Sequence, residues 1–177
     1  MLRILVATTD NEPGVLDRIA STFRRRGFNI HSLTVSPTLD PRVSRTTLVT
    51  DLDAKGARSA KAFLERLLNV HAVEDLSEAS PVVRDLALIR VSATPETRPT
   101  LFQMAQMFRA ELLDVSQHSL VLSVCASPER IEALVEALRP FGILEFGRTG
   151  AVAMHRGAAF SFASLQPTEA TDRAASF

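Results

Sequence analysis

Val15, Leu16, Ile19, Ala20 and Phe23 recur three or four residues apart, directly after an apolar, β-branched run at residues 2–7. The run suits a strand and the recurrence puts one stripe along a helix, so the chain opens strand then helix. Arg24, Arg25 and Arg26 close the helical pattern and Gly27 follows. Cations there sit at the negative end of the helix dipole, and glycine can take the left-handed turn that ends it. The arginine run therefore reads as a solvated helix end. Extended patterns at 28–36 and 43–52 flank the Pro/Asp-rich "PTLDPR". From about residue 56 a second helical stripe carries Ala60, Phe63, Leu64, Leu67 and Leu68, and residues 70–76 are again extended. The predicted order is βαββαβ.

After the polar "SEASP" the same order returns: a strand at 86–93, a helix at 100–111, strands at 112–116 and 120–126, a helix at 129–138 and a strand at 143–147. A two-layer stack buries each helix stripe against one sheet face. The chain is thus expected to be α+β, two βαββαβ sandwiches spanning 1–77 and 82–157. Residues 158–177, rich in Ala, Ser and Thr without a sustained period, are expected to form a flexible tail.

With 46% apolar and 23% charged residues, the chain has the material for a core. Twenty Lys and Arg balance twenty Asp and Glu, which leaves no general electrostatic reason to bind nucleic acid or an anionic membrane. An RNA-binding sandwich would need exposed aromatics on its central strands, and "LRILVA" and "RTTLVTDL" have none. No apolar run approaches the length of a membrane span, and the strand pattern begins at once without a signal-peptide pattern, so a cytoplasmic protein is expected. The single cysteine, Cys125 in "LVLSVCA", cannot form an intrachain disulfide and reads as a buried hydrophobe. His31, His71, His118 and His155 are scattered without metal-ligand spacing, and no nucleophile elbow or phosphate loop occurs. No catalytic constellation and no metal site are expected.

The first strand-to-helix junction, "TTDNEPGVLDRI", carries the one stretch with chemical potential. Pro13 suits the first helical position and pushes Glu12 toward the cap, which leaves Asn11 outside the helix. Gly14 would then lie inside the first turn, where glycine costs stability relative to alanine unless another group approaches closely. A helix start offers unpaired N–H donors to a carboxylate, and a free Asn11 offers an oxygen to an ammonium group, a combination that suits an amino-acid zwitterion. The same residues are also ordinary choices for a turn and helix start. Asn29, at the start of the second strand, can either bond a ligand or tie its turn.

The segments "NEPGVL", "RGFNI.SLTV", "LALIRV", "MFRAELLDVS" and "FGI.E..RTG" occur in an order and spacing that resemble the small regulatory subunit of acetolactate synthase, over residues 1 to 157. The resemblance implies an N-terminal ACT domain, which is a ferredoxin-like βαββαβ module, and a related C-terminal ferredoxin-like domain. It further implies a homodimer through the ACT domains that binds a branched-chain amino acid, typically valine, across the seam. By resemblance the site comprises Asn11, Pro13, Gly14, Val15 and Leu16 of one subunit with Asn29 and Ile30 of the other.

The implied role is regulatory and non-catalytic: activation of a large catalytic subunit carrying thiamine diphosphate, Mg2+ and FAD, and feedback inhibition in branched-chain amino acid biosynthesis. No cofactor is expected on this chain. The polar loop at 36–45 is expected to face the catalytic subunit through Asp40, Arg42 and Arg45. The alternative is a free-standing ACT-type amino-acid sensor acting on a different partner.

Overall fold

The computed structural model describes residues 2–157; the tail expected at 158–177 lies outside the described residues. Strand β1 (Leu2–Asp10) leads to helix α1 (Val15–Arg25), then to β2 (Ile30–Pro37), β3 (Val43–Asp51), α2 (Ala54–Leu64) and β4 (Val70–Asp75). These strands form an antiparallel sheet in the order β2-β3-β1-β4. Leu5, Ala7 and Leu48 on one face meet Ile19, Phe23, Ala60 and Leu64 from the two helices. Phe23 and Phe28 add an edge-to-face contact at 5.9 Å between ring centroids.

The second half repeats the plan with β5 (Val82–Ser92), α3 (Arg98–Phe108), β6 (Glu111–Val115), β7 (Ser119–Ala126), α4 (Pro128–Leu138) and β8 (Ile143–Arg148). Its sheet runs β6-β7-β5-β8, the same order as the first, and its core joins Ile89, Leu120 and Leu122 to Leu101, Ile131 and Leu134. The expected pair of ferredoxin-like α+β sandwiches is therefore the observed fold.

Several local expectations give way. Cys125 is exposed, not buried: in β7, Leu120, Leu122 and Val124 face the helices, and the two-residue period turns Cys125 outward. Leu68 lies beyond the end of α2 and is 94% exposed, because the helix stops at Leu64. Glu111 opens β6 where a helix end was expected.

A short strand absent from the sequence reading, β9 (Val152–Met154), pairs with the start of β5, from Val82 to Arg84. This ribbon packs its Ala153 and Val83 on Val6, Ile4 and Leu76, so the halves share a small apolar joint on the face of the first sheet away from α1 and α2. Arg45 of β3 donates from Nη2 to the Ala153 carbonyl at 2.8 Å, and Thr34 of β2 donates to the Thr149 carbonyl at 3.4 Å.

Candidate functional site

Strand β1 delivers Asp10 and Asn11 to one end of the first sheet, where the chain turns into α1. The turn is tighter than expected. Gly14 has φ 88 and ψ −12, and the Val15 N–H reaches back to the Glu12 carbonyl at 3.4 Å. These values, with proline at the preceding position, match a type II turn. Pro13 thus supplies the second corner of a turn and does not open the helix, which begins at Val15 with no side-chain cap. The glycine is required by its backbone conformation. A Cβ there would meet nothing within 4 Å, so the approach to the helix start is also open.

Asn11 is less free than its place outside the helix implied. Its Nδ2 donates to the Pro41 carbonyl at 2.8 Å and its backbone N–H to the Arg42 carbonyl at 2.7 Å. The β2–β3 hairpin loop therefore orients the amide and leaves Oδ1 as its available acceptor. Beneath it lies a cavity of ≈ 170 Å³ lined by Asn11, Val15, Leu16, Ile19, Val35 and Thr46, mostly apolar. Pro13 and Gly14 stand beside this cavity and do not line it.

Asn29 and Ile30 are not brought to this site within one chain. Ile30 pairs with Thr50, which pairs with Arg3 at the far end of β1. Seven residues of strand separate that level from Asp10, roughly 23 Å at about 3.3 Å per residue. Asn29 is exposed just before β2, while Ile30 packs against the first core.

Four residues that sequence reasoning missed stabilise the end of β1. Asp10 Oδ1 lies 2.8 Å from His71 Nε2, and its Oδ2 accepts from Asn69 Nδ2 at 2.8 Å. Asn69 Oδ1 in turn accepts from Arg18 of α1. No spacing signal pointed to them, since β4 and its preceding turn reach β1 only through the sheet. Arg18 could have been noticed only as a polar residue on the first turns of α1.

The hairpin loop proves shorter than the 36–45 stretch, because β2 runs through Pro37 and β3 starts at Val43. Asp40 and Arg42 pair with each other: Arg42 Nη2 meets Oδ2 at 2.7 Å, and Nε and the backbone N–H meet Oδ1 at 3.1 and 2.9 Å. These bonds hold the Asp40 carboxyl well below its ordinary range, at about 2. Arg45 belongs to β3, half-buried at the joint described above. Among the described residues no group of His, Cys, Asp and Glu could hold a metal ion, and no helix is long and apolar enough to cross a membrane.

Two tandem ferredoxin-like sandwiches, the first with an open turn-and-helix start at one end of its sheet, place the chain in the ACT-domain class. Residues 5–72 match the AHAS small subunit-like ACT domain, and residues 84–157 match the small subunit of acetolactate synthase. The chain is 41% identical over 157 residues to a probable acetolactate synthase small subunit of Archaeoglobus fulgidus, covering 89% of this chain and 98% of that one. It is 40% identical over 158 residues to the acetolactate synthase small subunit of Bacillus subtilis, covering 89% and 92%. The crystal structure of the Thermotoga maritima acetolactate synthase small subunit superposes with a TM-score of 0.83 at 30% identity, covering 89% of this chain and 99% of that one. The chain belongs to the family of acetolactate synthase small subunits.

Proposed function

We propose that the chain is the regulatory subunit of an acetolactate synthase, and that a branched-chain amino acid, valine foremost, binds between two copies of its N-terminal half. The observation that carries this reading is the position of the two asparagines at opposite ends of one sheet whose edge strand, β2, has no strand on its outer side among the described residues. Two β2 edges joined antiparallel about a two-fold axis put the Ile30 end of one strand beside the Pro37 end of the other, and Pro37 pairs with Ser44 next to the Asn11 corner. Asn29 and Ile30 of a second copy then approach Asn11 and Gly14. The helix-start N–H groups would take the carboxylate, the fixed Asn11 Oδ1 or Asn29 the ammonium, and Val15, Leu16 and Val35 the branched side chain.

In the same reading the large subunit carries the catalytic chemistry with its thiamine diphosphate, Mg2+ and FAD, and the small subunit raises its activity and makes it sensitive to the amino acid. The effector must bind two states of the assembly unequally; a coupling of roughly 1 to 3 kcal/mol is typical. Asp40, half-buried, and Arg42, exposed, at the hairpin tip are the proposed contacts to the large subunit, with Arg45 of the adjoining strand behind them.

Calorimetric titration of the purified chain with valine, leucine and isoleucine tests the effector, and saturable binding of valine is expected. Mixing with the large subunit tests the role: acetolactate formation should rise when this chain is added and fall again with valine. Valine binding without any effect on a copurified large subunit would favour the free-standing sensor. The absence of any amino-acid binding would remove the effector and the sensor alike and leave only activation of the large subunit.

A further inference from the structure

The halves also face each other across a cleft of ≈ 570 Å³, against ≈ 170 Å³ for the cavity that Asn11 shares with Val15 and Val35 and ≈ 460 Å³ for the open hollow it shares with Pro41 and Arg42. One wall is the first sheet at its Ile30 end, contributing Leu2 and Val49; the other is the start of α4 and the segment joining β8 to β9. The size and the largely apolar walls fall in the ordinary range for a small-molecule site. Its polar groups are distributed unevenly. Asp85, Glu129 and Glu132 stand against one permanent cation, Arg148, with His31 the remaining basic side chain of the lining.

Asp85 is only 3% exposed, and Arg148 spends both Nε, at 2.6 Å, and Nη2, at 2.5 Å, on the same oxygen, Oδ2. Arg148 Nη1 goes to Glu132 at 2.7 Å. The other oxygen, Asp85 Oδ1, is buried with no hydrogen-bond partner among the described residues, a costly arrangement that an incoming donor would relieve. Glu129 remains ionised at neutral pH, its carboxyl held below the ordinary value by its own backbone N–H and by Ser127. It occupies the first turn of α4, where an anionic guest would otherwise be favoured.

We propose that this cleft is a second ligand site, distinct from the Asn11 corner, which takes an ammonium or guanidinium group carried on a short apolar body. The head displaces Arg148 from part of its hold on Asp85 and bonds Oδ1, with Glu132 and Glu129 balancing its charge. The body lies against Leu2 and Val49. That head can come from a free amine or from a lysine or arginine side chain of a partner protein.

The test is methyl NMR of the full chain titrated with isoamylamine, with butylguanidinium and, separately, with inorganic phosphate. Saturable shifts at the methyls of Leu2, Val49 and Ala151 are expected with the two cations. Asp85→Asn should weaken binding at least tenfold. Glu132→Gln removes an exposed charge outside either core and should weaken it about two- to fivefold, as partly screened ion pairs do; it keeps the test valid if Asp85→Asn fails to fold. Asn11→Ala should leave these shifts unchanged, which separates failure here from failure of the valine site. If the head belongs to a partner, Glu132→Gln also weakens assembly with the large subunit and isoamylamine competes with that assembly; a free amine leaves assembly untouched. No saturable shift, wild-type binding by the folded Asp85 or Glu132 variants, or phosphate moving the same methyls would overturn the proposal.

Discussion

Gly14 joins the backbone argument to the chemical one. An L-residue in its left-handed conformation costs roughly 1–2 kcal/mol, yet no atom stands where a side chain would go. Gly14→Asp is therefore expected to fold with a loss of about 1–2 kcal/mol and to abolish valine inhibition, because it sets a carboxylate where the effector's own should lie. Gly14→Asn repeats the bulk and the backbone cost without the charge and should retain weakened inhibition; unchanged inhibition in the aspartate variant would refute the site. Asp40 gives a prediction in pH. Its folded value of about 2 lies below the ordinary 3.8, so the Asp40–Arg42 pair contributes above the ordinary value and is lost as pH falls through about 2. Carboxyl NMR should trace that midpoint, and Arg42→Ala should raise it only part of the way toward the ordinary range, because the backbone N–H of residue 42 still donates to Oδ1. The sequence identified Gly14 as unusual but misjudged why, since a proline followed by glycine fits a helix start and a type II turn equally well. The Asp10–His71–Asn69–Arg18 cluster was invisible because pairing across a sheet, not spacing along the chain, brings it together.

The long, strongly periodic elements were legible, because burial of one face imposes a period that survives in the sequence. The misses are elements with other determinants. The three residues of β9 are too few to show a period, and the strand exists because the start of β5 offers it an edge. Helix α2 ends at Leu64 and the stripe continues past it: Leu67 still packs against the core from the following turn, whereas Leu68 continues the spacing by number alone. At its other end Asp53 accepts from the Gly56 N–H at 2.6 Å, so Asp53→Ala should cost about 1 kcal/mol in chemical denaturation. The open edge of β2 carries the dimer argument. Val35 is 44% exposed there and lines the Asn11 cavity, and a lysine on an edge strand is a recognised block to further pairing. Val35→Lys should shift the chain from dimer to monomer in light scattering and abolish calorimetric binding of valine. A monomer that still binds valine with full affinity would confine the site to one subunit.

Any signal from the N-terminal half to the rest of the molecule must cross the joint between the sandwiches, and Gly150 is a point of close approach in it. At φ 89 its Cα faces β2 so closely that a Cβ would lie 3.1 Å from Thr34 Oγ1 and 3.2 Å from Ser32 Cβ. The flanking residues are tied to both halves: Thr149 accepts from Leu86 of β5 and offers its carbonyl to Thr34, while Ala153 accepts from Arg45. Because β2 also bears Ile30 at its start, a shift of that strand on effector binding would be felt first at this contact. Gly150→Ala adds only one methyl, but it must push the 149–151 segment off β2 and bear the left-handed cost, together about 1–3 kcal/mol. Neither core is touched, so both sandwiches should remain folded. Hydrogen exchange should rise at residues 82–84 and 152–154, where β9 is held against the joint. Valine should bind with nearly unchanged affinity, since Gly150 faces Ser32 and Thr34, whose levels on β1 are Ile4 and Val6, several residues of strand from the Asn11 corner, while inhibition of the large subunit should fall several-fold. If exchange rises at the joint and valine inhibits as before, the signal reaches the catalytic subunit from the N-terminal half directly, through the hairpin tip at Asp40 and Arg42.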